Sequence, residues 1–71
     1  MEKQYNMSKL KGRIVEVYDT QRNFAEKIGS APDKVSIMLS GKREFSQSEI
    51  EVWADALMID PQDYALYFFA H

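Results

Sequence analysis

Seventy-one residues with 45% apolar content suffice for one small domain with a single core and leave no room for a second. The absence of cysteine excludes disulfides and thiolate metal sites, so packing of helices must hold the chain together. Net charge is -2, but it is segregated: residues 1–45 carry all nine Lys and Arg against six acids, whereas residues 46–71 carry five acids and no base.

In chain order, Met-Glu-Lys-Gln-Tyr-Asn-Met lacks the hydrophobic stretch of a signal peptide, and no apolar run is long enough to span a bilayer. The expectation is a cytoplasmic protein with residues 1–7 as an N-terminal arm. Leu10, Ile14 and Val17 recur at i, i+4 and i+7, predicting a first helix over about Ser8 to Asp19 with Lys9, Lys11, Arg13 and Glu16 outside. Gly12 weakens it slightly.

Thr20 can cap a second helix that buries Phe24, Ala25 and Ile28 and ends at Gly29. Pro32 suits the first position of a third helix, where its missing N–H would be unpaired anyway, with Ser30 or Ala31 at the cap. Val35 and Met38, three apart, turn that helix inward, and it should stop at Ser40-Gly41 before the loop Lys42-Arg43-Glu44. The spacing of Gln21, Ala25, Gly29 and Val35 is that of a helix-turn-helix.

Ser46 and Glu49 have the spacing of a capping box, flanked by Phe45 and Ile50 as a hydrophobic staple. Ile50, Trp53, Ala54 and Leu57 then form one apolar stripe opposite Glu51 and Asp55. Asp60-Pro61 opens a last short helix carrying Tyr64, Tyr67, Phe68 and Phe69. The fold class is all-α with five short helices: residues 8–69 form a single helix-turn-helix domain and residues 70–71 its C-terminal end. Trp53, Leu10, Ile14, Phe24, Ile28, Val35, Met38, Leu39 and Leu57 are the expected core.

With the Gln21, Ala25, Gly29, Val35 and Met38 spacing, the Gly41-Lys42-Arg43 turn and the Ile50 to Leu57 stripe together, residues 8–69 resemble the Cro/cI-type (XRE-like) helix-turn-helix regulators of phages and prophages. The resemblance implies a lambda-repressor-like DNA-binding domain, helix three as recognition helix, a part in a lysis–lysogeny switch and a bacterial host cell. It carries a phosphate contact over to Gln21. Lys34, Lys42 and Arg43 could each neutralise a phosphate and Arg22 or Lys27 another, and Ser36 could serve several bases.

The outward positions of helix three are Pro32, Asp33, Ser36, Ile37 and Ser40, without the amide or guanidinium that pairs bidentately with adenine or guanine. A carboxylate such as Asp33 at roughly 5 Å from a phosphate is repelled by about 1 kcal/mol in wet surroundings. That roughly cancels one base contact of about 1 to 3 kcal/mol. Weak, salt-sensitive binding to double-stranded operator DNA is the first expectation.

The alternative keeps the fold and changes the partner. Asp33 and Ile37 place a carboxylate beside an exposed apolar residue, which suits a protein interface and complements a repressor's basic DNA-reading face. Such a chain would resemble the modulators of repression encoded beside the repressor in some temperate phages of Gram-positive bacteria. An exposed Tyr67 or Phe69 would favour a homodimer. Catalysis is not expected: His71 is the one histidine, the serines lack a base, and no phosphate loop or metal-ligand spacing occurs, so no metal, cofactor or small-molecule substrate is implied.

Overall fold

The structure is a computed structural model and describes residues 6–42 and 44–69. Its elements are α1 (Ser8–Tyr18), α2 (Gln21–Ile28), α3 (Pro32–Met38), α4 (Gln47–Leu57), a one-turn 3-10 helix (Pro61–Asp63) and α5 (Tyr64–Phe68). The fold is all-helical, with five α-helices and no strand among the described residues.

Local chemistry sets most boundaries. Thr20 begins α2, its hydroxyl accepting from Asn23 N–H at 3.1 Å. Gly29, at φ 71°, ends it: Gly29 N–H reaches Glu26 O and Ser30 N–H reaches Ala25 O, the paired bonds of a Schellman closure. The chain then re-enters helix at Pro32 with Ala31 at the cap. The capping box of α4 is complete, Ser46 N–H donating to Glu49 Oε1 at 2.8 Å and Glu49 N–H to Ser46 Oγ at 3.2 Å. Phe45 and Ile50 on either side are both buried.

The C-terminus of α4 closes without glycine. Met58 takes the left-handed conformation (φ 56°), Met58 N–H bonds Asp55 O, and Ile59 N–H bonds Ala54 O while its side chain enters the core. Helix α1 completes this end from outside. Arg13 Nε donates to Leu57 O at 2.9 Å, Arg13 Nη2 reaches Met58 O at 3.4 Å, and Tyr18 Oη donates to Ala56 O at 2.6 Å. Arg13 is therefore not an outward-facing charge as its helical position suggests. Its side chain is 26% exposed and spans two helices, because the last carbonyls of α4 lack intrahelical partners.

The core contains Leu10, Ile14, Phe24, Val35, Met38, Leu39, Trp53 and Leu57 as expected; Ile28 packs against it only partly buried. Met7 joins it too, although the sequence reading puts that residue in the arm, and so do Ile59 and Phe68. Its middle is a chain of ring contacts: Tyr18–Phe24 (5.5 Å between centroids), Phe24–Trp53 (4.7 Å), Trp53–Phe45 (4.9 Å), Phe45–Phe68 (5.1 Å) and Phe68–Tyr64 (6.0 Å). These tilted and edge-on pairs contribute about 0.5 to 1.5 kcal/mol each beyond burial. They tie α1, α2, α4 and α5 into one unit and leave the outer side of α3 uncovered.

Candidate functional site

Helix α3 owes its placement to a few residues. Gly29 turns the chain, Pro32 starts the helix, and Val35 and Met38 are buried while every other residue of α3 is exposed. Pro32, Asp33, Ser36, Ile37 and, just beyond the helix, Ser40 are thus brought to the surface, as the sequence reading places them. Ile37 is 61% exposed, far more than a residue held for packing would be. Asp33 lies one turn before it, in the first turn of α3, where a carboxylate also complements unpaired helix N–H groups.

The remaining candidates fall less evenly. Lys34 and Ser36 are exposed on α3, Arg22 is exposed on α2, and Gln21 is half-buried at the first position of α2. Lys42 is exposed after the turn at Gly41 (φ 78°), and Arg43 lies outside the described residues. Ser40 is committed to its own backbone, its hydroxyl donating to Ile37 O at 2.6 Å and standing 3.4 Å from Lys42 N–H. That bond closes the end of α3.

Beside α3 runs a groove of about 240 Å³, floored by Met38 and Trp53 and walled by Ile28, Lys34, Ser48 and Val52. Small-molecule sites usually have about 300 to 1,000 Å³, so this groove has the scale of a side-chain contact. Val52 is 50% exposed, a residue that the sequence pattern alone does not single out. The signal it does carry is that of an apolar residue on the polar side of α4, off the stripe formed by Ile50, Trp53, Ala54 and Leu57. No cluster of three or more metal-ligating side chains occurs among the described residues, and no described helix is long and apolar enough to cross a membrane.

A family model described as "Protein of unknown function (DUF739)" matches residues 3–71. The chain belongs to this family. No curated protein matches it. Among solved structures, this DUF739 member is similar to the solution structure of the modulator of repression (MOR) of the temperate bacteriophage TP901-1 from Lactococcus lactis. Identity is 38% over 93% of this chain and 89% of that one, with a TM-score of 0.81. The likeness is therefore to a phage regulatory protein of the modulator kind.

Proposed function

We propose that this DUF739 protein is a modulator of repression that acts by binding a partner repressor rather than by reading operator DNA itself. The observation that carries this reading is the outward face of α3. Of its exposed residues, Pro32, Asp33, Ser36 and Ile37 carry no amide or guanidinium, leaving Lys34 as the one cation on the helix, and they set a carboxylate one turn from an isoleucine that is 61% exposed. A surface aliphatic residue flanked by charge is what a protein partner can bury, whereas a DNA major groove offers it little beyond a thymine methyl. The 38% identity with the phage TP901-1 modulator supports the same choice.

In this account Asp33 meets a basic surface of the repressor, and Ile37 supplies the apolar contact at its centre. Lys34, Lys42 and Arg43, with Arg22 and Gln21, remain the groups available for sequence-independent phosphate contacts if the complex rests on DNA. The domain comprises residues 8–69 with Met7 packed into its core, and acts in the bacterial cytoplasm, without catalysis or cofactor.

Calorimetric titration of the purified chain with the repressor encoded beside it tests the reading. Saturable binding that is weakened by Ile37→Ala and by Asp33→Lys is expected. Absence of binding by the unmodified chain, or affinity indifferent to both substitutions, would remove it.

A further inference from the structure

The exposed surface of α3 continues onto α4. Val52 stands across the groove from Lys34, and Ile37 follows Lys34 by three residues on α3. Val52 thus lines a groove whose floor, Met38 and Trp53, is apolar and already packed, and Ile37 lies on α3 outside its lining. Its charged lining residues are Lys34 and Glu49, one of each sign, and the acidic excess lies beside it on α4. Helices α3 and α4 together carry the acids Asp33, Glu49, Glu51 and Asp55 against the single base Lys34. From Glu44 through Phe69 there is no Lys or Arg at all.

Resting on the function proposed above, we infer that this groove is the second half of the partner-binding face. It takes a basic amphipathic helix of the repressor, with one aliphatic side chain seated between Val52 and the stem of Lys34 over Met38 and Trp53. The geometry is that of a helix laid in a groove, in which apolar anchors supply affinity and flanking charges supply specificity. Glu51, which accepts from Gln47 Nε2 at 3.1 Å, and Asp55 are exposed on the outer side of α4 outside the groove's lining, where they meet lysines or arginines at the rim of the contact. Lys34 lies against this sign preference, and a lysine lining an apolar groove contributes mainly its methylene stem while the ammonium stays in water.

A nucleic-acid partner would invert the roles: Lys34 would be the useful residue and Glu51 and Asp55 the harmful ones. A second copy of this chain would bring its own acidic α4 against the first.

The test is titration of the full chain against the full repressor, comparing Val52→Lys, Glu51→Lys with Asp55→Lys, Lys34→Met, and Asp33→Lys as the reference for the α3 contact. Val52→Lys is expected to weaken binding by about tenfold or more, because it sets an uncompensated charge in the buried part of the contact. The double reversal should weaken binding and flatten its dependence on salt. Lys34→Met should leave affinity unchanged or raise it. Val52 is half-exposed, so an unchanged unfolding midpoint separates lost binding from lost folding. If Asp33→Lys abolishes binding while Val52→Lys stays within about twofold of the unmodified chain, a change worth under 0.5 kcal/mol, α3 acts alone and the groove is not an interface. Loss of affinity in Lys34→Met would likewise overturn the inference, as would a Val52→Lys effect on self-association of the isolated chain.

Discussion

Arg13 Nε donates to the carbonyl of Leu57 at 2.9 Å, across 44 positions of sequence. Neither residue's neighbours announce the contact, yet it joins the first helix to the end of the fourth. With Tyr18 Oη on Ala56 O, it satisfies carbonyls that an α-helix leaves open at its C-terminus.

Removing that guanidinium should cost stability. Arg13→Ala is expected to destabilise the domain by about 1 to 2 kcal/mol, the range of a partly exposed charge-assisted hydrogen bond. Arg13→Lys should recover only part of this, since an ammonium cannot span both carbonyls. Glu16→Ala, which removes only the exposed 2.6 Å partner of Arg13, should cost under about 0.5 kcal/mol. Urea unfolding monitored by Trp53 fluorescence checks the order Ala, Lys, Glu16→Ala.

Met58 closes α4 in a conformation that favours glycine (φ 56°) while its side chain is 68% exposed. Met58→Gly should therefore stabilise by about 0.5 to 1 kcal/mol, the left-handed strain relieved minus glycine's greater freedom in the unfolded chain. A thermal midpoint raised by several degrees is the expected readout, and a lowered midpoint would show that the Met58 side chain packs more than its exposure indicates.

Gly12 lies in the interior of α1, and a Cβ added there would meet nothing within 4 Å. Gly12→Ala should stabilise by about 0.5 to 1 kcal/mol through helix propensity alone. It faces solvent, so partner binding should not change.

These cases show what the sequence made legible. The capping box at Ser46 and Glu49, the turn at Gly29 and the α4 stripe are readable because each is decided locally, the first two within four residues and the stripe within eight. The end of α4 was not, since it depends on Arg13 reaching from α1 and on Ile59 finding the core. The C-terminal aromatics were equally open. Helix α5 has five residues, too few for a periodicity, and packing selects Phe68 for burial while leaving Phe69 44% exposed. At the candidate site, the bareness of Ile37 followed from its helical position opposite Val35 and Met38. The groove and Val52 required knowing which side of α4 lies beside α3.

Asp33 has two effects that can be separated. As an acid in the first turn of α3 it should stabilise by about 0.3 to 1 kcal/mol, so Asp33→Ala lowers the unfolding midpoint slightly. As a carboxylate on the face turned toward solvent it repels phosphate, so the same substitution should strengthen nonspecific DNA association at low salt. Fluorescence anisotropy with a labelled duplex of unrelated sequence checks this. Unchanged or weaker association would count against an unfavourable Asp33 contact.

Regulation through a partner repressor is checked by mobility-shift titration on the neighbouring repressor's operator DNA, at low and moderate salt and with or without that repressor. No sequence-preferring shift by this chain alone is expected, together with a shift that requires the repressor or with removal of the repressor from its operator. Saturable, sequence-preferring binding by the chain alone at moderate salt would overturn the repressor-mediated mechanism.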